Sequence, residues 1–157
     1  MIETVIVHSV EAATLNNFTY ELASSLTNVR TVRVKEVILP NLNGVLSQSF
    51  LTVSIKINGN YLDNRMHFSD GRPSVACVVK PEDTTSTGSF KADMLVSHPC
   101  HILFGQIRDV VVSLYGEDGT IFDFGDVPGV GRQVVLVLEI YSDLGETLKT
   151  GNGMQAY

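Results

Sequence analysis

His98, Pro99, Cys100 and His101 stand together in "HPCH", and imidazole nitrogen and thiolate sulfur are the usual ligands of zinc. In an extended chain successive side chains point to opposite sides, so His98 and Cys100 face one way and His101 the other. No second Cys/His pair stands elsewhere in the chain to complete a tetrahedron, and Cys100 reads better as a small buried hydrophobe beside a strand-starting Pro99. In "GEDGTIFDFGD", Glu117, Asp118, Asp123 and Asp126 invite comparison with a glycosidase carboxylate pair or a calcium loop, but their spacing fits neither template. Glu117 and Asp118 belong at a hairpin tip in water, where acids serve the turn's own backbone. The Gly-x-Gly of "PGVGR" (Pro128–Arg132) precedes a strand instead of opening a helix and lacks a third glycine, which leaves phosphate cradling unsupported. No serine sits in Gly-x-Ser-x-Gly, and the sequence proximity of Ser and His in "SHPCH" is not triad geometry. No catalytic, cofactor or metal set is assigned, and the expectation is a protein that is not an enzyme.

The elements that would position any site come from length and pattern. A chain of 157 residues fits one domain and one core. Apolar residues make up 44% and charged residues only 18%, which excludes a disordered chain and leaves a sparsely charged surface. A formal charge of −6 and eleven scattered basic residues argue against binding DNA or anionic membranes through phosphate, and no sequence-specific nucleic acid is expected. Apolar runs such as "VVLVLEI" fall far short of the roughly 20 residues that span a bilayer, so no transmembrane segment is expected and the chain reads as soluble. The N-terminus carries neither a basic nor a long apolar secretory region. Cys77 and Cys100 read as reduced, buried thiols, consistent with folding inside a cell.

Apolar residues alternate with polar ones in steps of two along most of the chain, while helical spacing is never sustained beyond a turn, which predicts an all-β fold. Strands are expected over Glu3–Ser9, Phe18–Leu22, the run "VRTVRVKEVIL" ending at Pro40, Leu51–Ile57, Ser74–Val79, and five further segments from Phe90 onward. A short strand is expected around Arg65–Phe68, and "LASSL" (Leu22–Leu26) is the one place for a helical turn. Val32 and Val34 share a face, yet unbroken register would bury Glu36. One extra residue near Lys35 and Glu36 brings Val37 and Leu39 back to the core, so a β-bulge is predicted there. "NGN" (Asn58–Asn60) and "GEDG" (Gly116–Gly119) carry turn chemistry.

Two strands are apolar on both faces. "RQVVLVLEIY" sets Val134, Leu136, Leu138 and Ile140 against Val135, Val137 and Tyr141, interrupted by Glu139; "RDVVVSLYG" sets Val110, Val112 and Leu114 against Val111, Ser113 and Tyr115. Such strands need cover on both sides. The second cover is either the sandwich's own loops or another subunit.

The segments "FTYELASSLTNVRTVRVKEVILPN", "ILFGQIRDVVVSLYGEDGTIFDFGDV" and "VVLVLEIYSDL" together resemble the small single jelly-roll capsid proteins of icosahedral double-stranded DNA viruses with double jelly-roll major capsid proteins. The resemblance implies an eight-stranded antiparallel single jelly roll of two four-stranded sheets over residues 17–144. Residues 1–16 would be an arm or the first strand, and residues 145–157 a tail. It implies a structural virion protein made in the host cell, forming a homopentameric penton at the fivefold vertices, or else a minor capsid protein between capsomers. Its partners would be itself, the major capsid protein and other minor capsid proteins, with no cofactor. Interface residues would be Arg30, Arg33, Lys35, Glu36, Val111, Tyr115, Val135, Val137 and Tyr141, the charges discouraging unwanted edge pairing. A carbohydrate-binding β-sandwich is disfavoured by the absence of Trp, and a cupin-like enzyme by the separation of His67 from His98 and His101.

Overall fold

Two-residue alternation is realised as extended strands, and the one helical turn among the described residues is a 3-10 turn at Val45–Ser47. The computed structural model describes residues 1–10, 12, 14–82, 84–102, 105–125 and 132–143. Asp126, most of "PGVGR" and the expected tail lie outside the described residues. The strands are β1 (Ile2–His8), β2 (Asn17–Leu26), β3 (Val29–Pro40), β4 (Leu51–Ile57), β5 (Asn60–Tyr61), β6 (Cys77–Lys80), β7 (Ser89–Lys91), β8 (Asp93–Ser97), β9 (Cys100–His101), β10 (Ile107–Tyr115) and β11 (Val135–Ser142).

One sheet runs β1-β11-β3-β7, with β9 also on β3; the other runs β2-β10-β4-β6-β8, with β5 on β4. All pairs are antiparallel. The pairing is nested, first strand with last: β1 with β11, β2 with β10, β3 with β7 and β9, β4 with β6. A long hairpin rolled so that successive pairs fall alternately in two sheets gives this order, which is the jelly roll. The expected sandwich is therefore present, in sheets of five and six strands. The expected pair of four-stranded sheets is exceeded because Asn58 (φ 52°) and Gly59 (φ 82°) return β5 onto β4 as a tight hairpin, and because β7, β8 and β9 divide one stretch between the sheets.

The inner faces interdigitate as one core. Leu136, Leu138 and Ile140 of β11 and Val110, Val112 and Leu114 of β10 are fully buried, with Val32, Val37 and Leu39 from β3 and Leu51, Val53 and Ile55 from β4. Ile2–His8 pairs along its whole length with β11, from Ile2 opposite Tyr141 to His8 opposite Val135.

The predicted bulge lies where the pattern required it. Val137 pairs with Glu36 and Leu138 with Val34, so Lys35 is the extra residue. A second bulge, unforeseen, leaves Arg30 over between Val29, opposite Ser142, and Thr31, opposite Tyr141. Three expectations fail. Leu22–Leu26 is strand and not a helical turn, because Ile107 pairs with Leu26 and holds the segment extended. Arg65–Phe68 is irregular, since that segment crosses over a sheet instead of joining it. "TIFDF" forms only a single bridge, Tyr115 to Ile121, and its Phe122 and Phe124 pack edge to face at 4.8 Å as core.

Leu138→Ala should cost about 2–5 kcal/mol in urea unfolding, the usual cost of emptying a packed core site. Ile121→Ala, 41% exposed, should stay within about 0.5 kcal/mol. Equal losses would contradict this placement of the core.

Candidate functional site

A sandwich has two outer faces, and here they are finished differently. On the six-stranded sheet, Thr52 and Ser54 of β4 point away from the core yet are buried at 0% and 1% exposure, and the segment between β5 and β6 reaches Thr52 through Arg72. Gly71 (φ 74°) reverses the chain between Asp70 and Arg72, a conformation that glycine adopts without strain. Arg72, its side chain 1% exposed, then reaches back: Nε donates to Asp70 Oδ1 and Oδ2, each at 3.0 Å. Nη1 donates to Thr52 Oγ1 at 3.0 Å, and Nη2 to the Glu117 carbonyl at 3.1 Å. The guanidinium lies 4.4 Å from the Phe68 ring centroid and 5.5 Å from that of Phe50, within cation–π reach of both rings. Backbone bonds from Leu62 N–H to Ile55 O and Ala76 N–H to Val53 O pin both ends of this strap to β4.

The outer face of the five-stranded sheet has no such strap among the described residues. Cross-strand rows run Ile2, Tyr141, Thr31; then Thr4, Glu139, Arg33; then Ile6, Val137, Glu36; then His8, Val135, Ile38. Of the exposed large hydrophobics, Met1, Ile2, Ile6, Val10 and Tyr141 gather on or beside β1 and its neighbour, at 56%, 57%, 54%, 50% and 38% exposure. A concentration of this kind is a feature of contact surfaces.

The expected interface residues therefore divide. Arg30, Arg33, Lys35, Glu36, Val135, Val137 and Tyr141 lie on the five-stranded sheet; Val111 and Tyr115 lie on the other. Val111 stands between Thr19 and Lys56, and Tyr115 beside Thr52. Tyr115 is half-buried, and burial together with nearby Tyr61 pushes its phenol pKa up. The charges are engaged within the molecule: Arg30 with Asp143, Lys35 with Glu139 and Glu36 with Lys91, each at 3.6 Å. Exposed pairs of this kind contribute little to stability. Arg33 differs, since its Nε is buried without an acceptor among the described residues.

"HPCH" splits between Cys100 and His101 as strand geometry requires, but His98 lies before β9 and does not share the side of Cys100 as expected. Cys100 is buried opposite Val32, whereas His98 and His101 are exposed. The Cys100 thiol donates to Asn64 Oδ1 at 2.6 Å, and burial, with Asp63 nearby, pushes its pKa up to about 11. Such a thiol is protonated at neutral pH and a poor nucleophile or ligand. Burial pushes Cys77 higher still. Among the described residues no three His, Cys, Asp or Glu side chains are grouped to hold a metal. At the hairpin tip Glu117 and Asp118 are exposed, and the Thr120 backbone N–H and then its hydroxyl hold the Asp118 pKa down.

Sequence reasoning missed Arg72. Its signal was present in "FSDGRP": an Asp-Gly turn that sets an acid and a base two residues apart beside an aromatic ring.

The fold and its surfaces define an antiparallel jelly-roll sandwich with, among the described residues, one strapped outer face and one without a strap. No protein-family model matches the chain, and no curated protein does. Among solved structures, a chain from "Crystal structure of the T13 IBDV viral particle reveals a missing link in icosahedral viruses evolution" aligns with 88% of this chain at 13% identity and a TM-score of 0.21. This chain spans about 35% of that one's length. A likeness this loose bears on neither fold nor function.

Arg72→Met should loosen the strap, lower the unfolding midpoint and speed proteolysis within residues 62–76 while the sheets persist; an unchanged digestion pattern would contradict the strap. Asp70 is held below the ordinary carboxylate value of 3.8, chiefly by the Arg72 side-chain hydrogen bonds. Its folded pKa is thus depressed, so its contribution is present above 3.8 and is lost as pH falls through the lower folded value. In acid titration, Asp70→Asn should flatten the stability slope below pH 3.8; an unaltered slope would show that the pair makes no such contribution.

Proposed function

We propose that this chain is a structural subunit of an icosahedral viral capsid, acting without catalysis. In this reading it is the penton, five copies closing a ring at each vertex of a double-stranded DNA virus, in contact with the major capsid protein and residing in the virion. The carrying observation is the outer face of the five-stranded sheet, where among the described residues Ile2, Ile6 and Tyr141 are exposed and Val137 is half-buried, on a sandwich whose opposite face is reached by Arg72. Side-to-side contacts between identical subunits close into a ring when the rotation per copy divides a full turn.

Light scattering on the purified protein, with sedimentation of virions, tests this. The expected result is a pentamer, or incorporation at vertices, with Val137→Arg abolishing assembly while leaving the unfolding midpoint within the small range of surface substitutions. A protein that remains monomeric and absent from particles would overturn it. Incorporation between capsomers in other than fivefold copy number would indicate a minor capsid protein instead.

A further inference from the structure

β1 is an edge strand, and its free side has a specific hydrogen-bonding pattern. Ser142 N–H bonds to Met1 O and the Met1 amino group to Ser142 O, and at the other end Ser9 N–H bonds to Val134 O. Antiparallel ladders alternate bonded and non-bonded residues, so odd-numbered residues of β1 bond to β11. Ile2, Thr4, Ile6 and His8 then aim their N–H and C=O groups outward, unpaired among the described residues.

Natural edges are commonly blunted by Lys, Pro or a bulge. β1 contains no Lys or Pro, and its register with β11 is continuous from Ile2 to His8. Its one acid, Glu3, accepts a hydrogen bond from Ser142 Oγ at 3.2 Å. The other long edge, β2, exposes Asn17, Thr19, Glu21, Ala23, Ser24 and Ser25, which is polar by comparison.

We infer that β1 pairs antiparallel with β1 of a second copy about a twofold axis at Val5, joining the two five-stranded sheets into one. The occupant follows from self-complementarity. In this register Ile2 faces the partner copy's eighth residue and Thr4 its sixth, so every outward N–H and C=O of both strands is used. A shift of two residues either way leaves an end of each ladder unpaired. The same register sets Glu3 opposite the seventh position, an uncharged valine, so the two acids do not meet. On the outer face Ile2 and Ile6, 57% and 54% exposed, become continuous with their symmetry mates. Sheet-edge addition of this kind takes its affinity from main-chain bonds. The contact runs through the sheet edge and does not depend on the capsid reading.

Thr4→Pro removes an outward N–H and leaves the bonds to β11 intact, and proline is tolerated on such an edge. Sedimentation velocity should show wild-type dimers or dimer-based assemblies. The variant should dissociate, its dissociation constant raised at least about tenfold, with unchanged β circular dichroism. Val5→Cys should form a disulfide-linked dimer on oxidation, since the two fifth residues would face each other at a non-hydrogen-bonded pair. The wild type, with Cys77 and Cys100 buried, should not. A wild type monomeric at all concentrations, an unchanged mass in Thr4→Pro, or no Val5→Cys cross-link would overturn the edge contact. Should Thr4→Pro fail to fold, the cross-link decides. A pentamer that survives Thr4→Pro overturns the edge contact and leaves the capsid reading intact; a β1 dimer absent from virions does the reverse.

Discussion

The strict two-residue alternation of a strand obliges β11 to face two ways at once. Leu136, Leu138 and Ile140 point inward and are fully buried, which forces Val135, Val137 and Tyr141 outward. As the second strand of its sheet, paired on one side with β1 and on the other with β3, β11 cannot slip by a residue without exposing the core set. The nested pairing of first strand with last closes the roll through this strand. Its outward apolar side chains are therefore a consequence of the core and the register, and they remain to be covered by something.

The two sheets meet that demand by different means. On the six-stranded sheet, β4 turns Thr52 and Ser54 outward, and a strap held by Arg72 reaches Thr52. A buried guanidinium is costly unless its donors are met and its charge is paired; Asp70, Thr52 and the Glu117 carbonyl supply acceptors, and two aromatic rings lie within cation–π reach. On the five-stranded sheet, β3 instead places its bulged residues, Arg30 and Lys35, outside, each bridged to an acid at the end of or within β11. Those bulges twist the strand and keep charge around an apolar patch without covering it.

Much of this was legible in the sequence because burial leaves a periodic trace. The bulge at Lys35 could be located from Val34, Glu36 and Val37 alone, since only an extra residue reconciles their sides. Alternation also located β4, β10 and β11. It failed where long-range pairing overrode local preference: Leu22–Leu26 has small residues compatible with a helical turn, yet Ile107 holds it in the sheet. The strap left no periodic trace, because one arginine with an Asp-Gly turn has no repeat to detect. The division of Val111 and Tyr115 from the other expected interface residues was equally hidden, because which sheet a strand joins depends on nested pairing across the chain and not on its own pattern.

The central claim is that one outer face carries a strap from its own chain and the other is finished by a neighbour. Hydroxyl-radical footprinting across a concentration series reads this directly, by comparing oxidation of side chains on both faces in dilute and concentrated protein. The account requires Ile6, Val137 and Tyr141 to become protected as concentration rises, while Tyr61, 43% exposed beside the strapped face, keeps its reactivity. Unchanged labelling of the first three at every concentration, or protection confined to the strapped face, would contradict it.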